Sequence, residues 1–254
     1  IHQGEVEIFL LHPQNAEQTE WLALIRPAKR LREGTVVVFD NSELKVTILE
    51  RQESGRARVQ LSWPDSLNFN EMLEQVGQMP LPPYMSRSAE ASDKHRYQTV
   101  FAKTPGAQAA PTAGLHFTES ILKTLEDKGV QIAELTLYVS AGTFRPVKTE
   151  NITEHKMDPE AYEFSQELAD KILATKKSGN KVIAVGTTVA KTLETVAHKY
   201  NGALKADSGW SELFITPGFD FKIVDALLTN FHLPKSTLLM LISAFTGNHK
   251  LVLD

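Results

Sequence analysis

A proline-rich segment at residues 79–84 separates two parts of the chain whose hydrophobic patterns differ. Residues 5–61 contain short runs rich in β-branched and aromatic residues, which polar turns interrupt at residues 40–42 and 53–55. This pattern is typical of a small antiparallel barrel or sandwich. The prolines remove backbone donors and favour extended conformations, so a regular helix cannot continue through them. We therefore predict an all-β domain over residues 1–79 and a second domain over residues 80–254.

The second part of the chain alternates apolar strands with helical patterns. Residues 118–128 predict a helix with Thr118 as its N-cap and Gly129 as its C-terminal stop. One short helix, over residues 68–76, is predicted before the proline segment. After that segment, further helices are predicted over residues 165–177 and 187–198, and strands over residues 132–139 and 182–185. The latter strand is apolar on both faces, as in a buried, largely parallel sheet. The alternation predicts a mixed α/β domain.

The amino-acid composition excludes several classes of site and several environments. The 254 residues include no cysteine, which excludes disulfides, thiolate metal sites and thiol nucleophiles and favours a reducing cytoplasm. No run approaches the roughly 20 apolar residues that a bilayer span needs, so we expect no membrane association. A net charge of −4 argues against general binding of polyanions, and any nucleic acid must meet a local basic patch. We expect a monomer.

The first candidate site segment covers residues 109–118 and runs into the start of a helix. Free backbone N–H groups at the helix start, together with the Thr118 hydroxyl, suit a carboxylate or phosphate, and Thr112 and Gly114 are further candidates in this segment. His116 supplies an imidazole, the side chain that most often transfers protons near neutral pH. An ordinary capped loop is the alternative.

The second candidate segment covers residues 142–147, with residues 154–157 shortly after it. Gly142 and Thr143 precede Arg145, whose planar guanidinium makes paired hydrogen bonds to carboxylate or phosphate. A structural salt bridge is the alternative role for Arg145. His155 adds a second candidate for proton transfer.

The third segment places Gly186, Thr187 and Thr188 between the buried strand and the next helix. Glycine and two hydroxyls in this position suit a nucleoside or phosphate. The segment lacks the glycine spacing of a dinucleotide site, so such a cofactor is not predicted.

The fourth segment, residues 229–237, crowds polar side chains between two apolar runs. Asn230 and His232 alternate, so they share one face of an extended backbone, and Lys235 adds a positive charge. A buried polar turn is the alternative interpretation.

Two basic clusters are candidates for RNA contact. Lys29 and Arg30 lie in the β-rich part, while Arg96 follows the proline segment beside Tyr97, whose ring could stack on a base. Solvated surface charge is the usual meaning of such clusters. The histidines lack the spacing of a metal site, so no metal is predicted.

Seven strings occur in a fixed order along nearly the whole chain, at residues 79–84, 96–103, 109–118, 142–147, 154–157, 182–188 and 224–245. Together they resemble the family of S-adenosylmethionine:tRNA ribosyltransferase-isomerase, an enzyme of queuosine biosynthesis. The resemblance implies a mixed α/β main domain with an inserted all-β, barrel-like domain. It also leads us to expect that parts of the family's N- and C-terminal regions are missing from this chain.

The resemblance further implies the reaction. S-adenosylmethionine donates its ribosyl unit to 7-aminomethyl-7-deazaguanine at the wobble position of tRNA, and adenine and methionine leave. No cofactor or metal is implied beyond S-adenosylmethionine as co-substrate. The reaction needs a general base and a proton donor for adenine, and the candidates are His116, His155 and His232. The predicted substrate contacts are Thr112, Gly114, Thr118, Gly142, Thr143, Arg145, Gly186, Thr187, Thr188, Asn230 and Lys235.

The chain departs from the family pattern at two places. Residues 138–140 read Tyr-Val-Ser where the family has His-Val-Gly, and residues 189–191 read Val-Ala-Lys where it has Ser-Val-Arg. These departures leave open a non-catalytic paralogue that binds the tRNA anticodon arm. A methyltransferase with the same donor is a second alternative, which the lack of a glycine-rich loop opposes.

Overall fold

A computed structural model describes residues 6–40, 42–82, 85, 87–140, 152, 155 and 157–248. The chain divides into two compact units, residues 1–78 and residues 79–254. None of the described helices combines the length and apolar character that a bilayer crossing requires.

The first unit is a five-stranded antiparallel sheet. Its strands are β1 (Glu7–Pro13), β2 (Glu20–Arg26), β3 (Val36–Val38), β4 (Lys45–Arg51) and β5 (Arg56–Ser62). They lie in the order β1-β2-β5-β4-β3, so β1 and β3 are edges and the sheet is open across the described residues. The predicted all-β character is seen, but the expected barrel-like form is not confirmed. β3 has only three residues, and all of them pair with β4.

The short helix predicted over residues 68–76 forms as α1 (Phe69–Val76), and it packs on this sheet. Asn68 and Glu71 form a reciprocal capping box that satisfies two backbone donors at its start. Met72 is fully buried against inward-facing sheet residues such as Ile48 and Val59. The alternation of the β-rich runs thus produces one apolar face, which the helix completes.

The second unit contains the remaining elements. Its helices are α2 (Asp93–Arg96), α3 (Glu119–Asp127), α4 (Gln166–Lys177), α5 (Thr187–Lys199) and α6 (Thr237–Thr246). Its strands are β6 (Thr136–Tyr138), β7 (Glu160–Phe164), β8 (Ile183–Val185), β9 (Asp207–Ser211) and β10 (Ala226–Leu228). The predicted N-cap is confirmed, because the Thr118 hydroxyl accepts a hydrogen bond from the Ile121 amide at the start of α3.

These strands form two small sheets. β6, β7 and β9 are antiparallel, whereas β8 and β10 form a parallel pair. The mixed α/β prediction is confirmed, although the strand predicted at residues 132–139 shortens to β6. Burial of β8 on both faces is only partly right, since Ala184 is buried but the Ile183 side chain is 60% exposed.

Helix α5 organises the core of this unit. Its inward side chains include Ala190, Leu193 and Val196, which pack against buried residues of α4. The same helix buries Glu194 completely, and this carboxylate accepts hydrogen bonds from the backbone amides of residues 222, 223 and 224 at 2.8–2.9 Å. The turn that leads into β10 is thereby fixed to α5.

Substitution of Glu194 tests this connection. Glu194→Ala leaves three backbone amides without their acceptor and should lower the free energy of unfolding by about 3 kcal/mol or more. Glu126→Ala, on the exposed surface of α3, is the matched control and should change stability by less than about 0.5 kcal/mol. Urea denaturation measures both. Equal stabilities of the two variants would show that the buried carboxylate does not hold this turn.

Candidate active site

The parallel pair of strands brings two of the candidate segments to one edge. β8 ends at Val185 and leads through Gly186 into α5, and its neighbour β10 ends at Leu228 before residues 229–236. The Gly186 amide donates to the Leu228 carbonyl at 2.8 Å, which holds the two exits together. Ligands of open α/β sheets bind beyond the carboxyl ends of the strands, where polar loops meet.

A mostly apolar cavity of about 170 Å³ lies at this edge. Its walls come from residues 110–113, 139, 185–189, 229–234, 236 and 238. Three of the four candidate segments therefore meet around one space. Pockets for whole ligands commonly enclose about 300–1,000 Å³, so this cavity suits one ring system rather than a complete nucleoside sulfonium.

A hydrogen bond joins two segments that lie far apart in the sequence. His116 Nε2 lies 2.9 Å from Asn230 Oδ1. An amide oxygen only accepts, so the imidazole nitrogen donates, and neutral His116 keeps its other nitrogen, Nδ1, as a proton acceptor. Asn230 thus selects the tautomer of a histidine beside the cavity.

His232 is the histidine in the cavity wall. It is half-buried, and this burial lowers the pKa of its imidazole from the ordinary value of 6.5. Its Nε2 lies 3.2 Å from the Thr229 hydroxyl. Because the pKa is lowered, the ring is neutral at pH 7 and able to accept a proton.

The first turn of α5 supplies the polar part of the wall. Gly186 has φ of +99°, a conformation that disfavours residues with a side chain, and it precedes the helix without a side-chain cap. The amides of the first turn have no intrahelical acceptors and carry partial positive charge. Thr187 and Thr188 are buried and line the cavity with their neighbours. This arrangement accepts a hydroxyl or an anionic group.

Comparison with known proteins identifies the family of this chain. A family model described as "Queuosine biosynthesis protein" matches residues 1–253. The chain belongs to this family. It is 52% identical over 244 residues to the S-adenosylmethionine:tRNA ribosyltransferase-isomerase of Natranaerobius thermophilus, with 96% of this chain and 69% of the relative covered.

A solved structure of the family is also similar. The S-adenosylmethionine tRNA ribosyltransferase of Thermotoga maritima is 32% identical, with a TM-score of 0.41. The match covers 95% of this chain and 65% of that chain. The chain thus spans about two thirds of the length of these two relatives.

Within this member of the family, some predicted site residues have structural tasks instead. The Thr118 hydroxyl is engaged as the cap of α3 and Thr118 does not line the cavity. Gly114 is buried away from the cavity, and a Cβ atom there would come within 2.7 Å of the Phe101 ring. The glycine is therefore explained by close packing. The structure does not support a substrate contact by either residue.

Other predicted residues lie away from the cavity or outside the described residues. The His155 ring packs against Phe214, 5.4 Å between centroids, and does not contribute to the cavity wall. Lys235 is exposed and also absent from the wall. Gly142, Thr143 and Arg145 lie outside the described residues.

The two departures from the family pattern meet at one buried carboxylate. Lys191 and Glu160 are 6% and 3% exposed and form an ion pair. The Ser140 amide also donates to Glu160, at 3.4 Å. Lys191 does not line the cavity, so its charge fixes α5 to the start of β7 rather than contacting a ligand there.

The residues predicted to contact RNA differ in accessibility. Lys29, Arg30 and Arg96 are exposed. Tyr97 is only 7% exposed, so its ring offers no free face, and the prediction that it stacks on a base is wrong. The exposed aromatic near the candidate site is instead Phe231, which the sequence analysis did not single out.

A second, more open hollow of about 1,110 Å³ lies beside β7, β9 and α4. Several of its carboxylates are neutralised by lysines, as in the Lys103–Glu134 and Lys171–Glu167 pairs. It contains none of the predicted site residues. Among the described residues, no cluster of three or more histidines and carboxylates is arranged to bind a metal ion.

Proton NMR tests the environment of His232. Its imidazole should titrate with a midpoint below 6.5, because burial disfavours the protonated ring. The resonance is assigned by its loss in His232→Asn. A midpoint at or above 6.5 in the wild-type chain would contradict the buried position of the ring.

Proposed function

We propose that this chain transfers and isomerises the ribosyl unit of S-adenosylmethionine onto 7-aminomethyl-7-deazaguanine at the wobble position of tRNA. The products are epoxyqueuosine in tRNA, adenine and methionine. No metal or cofactor takes part beyond S-adenosylmethionine itself. The proposal rests on the family and on one observation: three separate segments enclose a small cavity that contains a neutral, half-buried histidine.

We assign the role of general base to His232. The sulfonium of the donor acidifies the neighbouring C5′ hydrogens, so removal of one of them allows the sugar to open and adenine to leave. A base near pH 7 must be unprotonated for this step. Burial keeps His232 in that form, and its position in the wall lets it face a ligand.

His116 is assigned the second proton transfer. Its Nε2 is committed to Asn230, which leaves Nδ1 to take a proton from the incoming amine or to return one to adenine. His116 is exposed to solvent, so it can exchange that proton with water. His155, which packs against Phe214, is the weaker candidate.

The chemical groups of S-adenosylmethionine match the polarity of the cavity wall. The apolar side suits adenine, and Thr112 with the Thr187 and Thr188 hydroxyls at the start of α5 suits the ribose. The methionine carboxylate extends beyond a cavity of this size, and Lys235 or Arg145 is proposed to receive it. Gly142, Thr143 and Gly186 complete the proposed contacts.

The tRNA is proposed to contact exposed basic residues, namely Lys29, Arg30 and Arg96. We further propose that the two compact units are separate domains, that the first is the family's inserted domain, and that the protein is a cytoplasmic monomer. Size-exclusion chromatography with light scattering measures the last of these properties.

Product analysis tests the function directly. The chain, S-adenosylmethionine and tRNA carrying 7-aminomethyl-7-deazaguanine should yield free adenine and methionine in amounts equal to the modified base. S-adenosylhomocysteine as the product would indicate a methyltransferase instead. Bound tRNA without adenine release would indicate the binding paralogue. His232→Asn should lower kcat by about 10²- to 10⁴-fold, whereas His12→Asn, an exposed histidine of β1, should act like the wild type.

The hydrogen bond between His116 and Asn230 gives a second test. Asn230→Ala frees the imidazole to rotate, and a misplaced catalytic group typically costs about 10²-fold in rate. We expect kcat to fall by about that factor in steady-state assays. Asn180→Ala, at an exposed turn after α4, is the control. Unchanged kcat in Asn230→Ala would show that this hydrogen bond does not position His116 for the reaction.

A further inference from the structure

Phe231 is the most exposed large apolar side chain among the described residues. Its relative accessibility is 107%, which means that essentially the whole ring meets solvent. Leu233, two residues further on, is 51% exposed. Phenylalanine is a residue type that is commonly buried, and isolation of a full ring in water forgoes its hydrophobic stabilisation. Both faces of the ring are therefore free to receive a flat ligand.

The position of Phe231 indicates which kind of ligand. It lies between Asn230 and His232 and contributes to the rim of the cavity. Asn230 holds His116, which is assigned the second proton transfer, and His232 is the proposed general base. A flat group resting on this ring would therefore lie next to the reacting atoms.

The size of the cavity separates the two heterocycles of the reaction. The proposed function brings together adenine from the donor and a deazaguanine from the RNA. A cavity of about 170 Å³ encloses one of these ring systems, and the other has to remain at the mouth. The donor's adenine fits the enclosed position, because the donor is a small molecule that can place its adenine inside while its methionine extends beyond the cavity. The RNA base remains attached to its backbone and approaches from outside.

We propose that Phe231 is the stacking platform for the unpaired acceptor base of the RNA substrate. This inference rests on the proposed function and adds the residue that presents the acceptor base to the reacting atoms. Proteins that bind single-stranded RNA commonly place bases on aromatic rings, and a ring without hydrogen-bonding groups accepts any flat base. Specificity for the modified base then comes from the polar groups beside the ring.

Binding of an anticodon stem-loop that carries 7-aminomethyl-7-deazaguanine tests the platform. Fluorescence anisotropy with the labelled RNA gives Kd for the wild type and for Phe231→Ala, Phe231→Leu and Phe231→Tyr. Loss of one stacked base should weaken binding by about tenfold or more. The Ala and Leu variants should both show this loss, whereas Tyr, which keeps the ring, should stay within about twofold of the wild type. KM for S-adenosylmethionine should rise less than Kd for the RNA in all three, because Phe231 lies only at the rim of the cavity that is assigned to adenine.

Trp210→Ala is the matched control. Trp210 is another exposed aromatic, 63% accessible, on β9 and away from the cavity wall. Its removal should leave Kd for the RNA unchanged. Because Phe231 makes so little contact with the protein, its variants should also retain the wild-type Tm, which excludes misfolding as the cause of weaker binding.

Three results would overturn the platform: wild-type affinity in Phe231→Ala, equal affinity of the Leu and Tyr variants, or a KM for S-adenosylmethionine that rises as much as Kd for the RNA. The proposed function fails separately, if the wild-type chain releases no adenine. The anisotropy measurement does not require turnover, so it evaluates Phe231 in either case.

Discussion

The parallel pairing of β8 with β10 is the interaction on which the candidate site depends. It places the start of α5 and the segment after Leu228 at one edge, where the Gly186 amide joins them. Two carboxylates hold the segment that leads into β10, one of them buried and the other at the surface. Glu194 binds three consecutive backbone amides, and Asp225 accepts from the Val182 amide and pairs with Lys176. A pair of three-residue strands is thus held by side chains as well as by its own ladder.

Charged groups also attach α5 to the neighbouring antiparallel sheet. The Glu160–Lys191 pair connects α5 to β7, and Asp207 receives hydrogen bonds from Tyr162, Lys199 and Tyr200. Burial and the bond to Asp207 raise the pKa of Tyr162 to about 12, so it remains a donor at all physiological pH values. Helix α5, whose first turn forms part of the cavity wall, is therefore fixed at several points. This suits a site that must hold groups in defined positions.

Local sequence signals predicted the elements well because those signals act locally. Thr118 caps α3 as expected, since a cap requires only the residues of the first turn, and the helix predicted over residues 165–177 forms as α4. The barrel-like form is not confirmed, because closure depends on pairing between distant edge strands, which the hydrophobic period of each strand does not encode. The stacking role of Tyr97 was wrong for a similar reason, since its burial is set by tertiary packing.

The sequence predicted only in part which segments come together at the candidate site. Glycine, threonine and histidine beside apolar strands identified three segments that line the cavity, yet nothing in the sequence showed that Asn230 would bind His116 across more than a hundred residues. Glu194 was overlooked because a glutamate in a helix is usually exposed. Phe231 was overlooked because a phenylalanine next to apolar runs usually enters the core.

A crystal structure with S-adenosylmethionine bound would test the central claim most directly. We expect its adenine between residues 110–113 and 229–234, with the sugar facing His232 and the first turn of α5. Density for the donor in the open hollow beside β7 and β9, or at any place away from the edge formed by β8 and β10, would contradict the account.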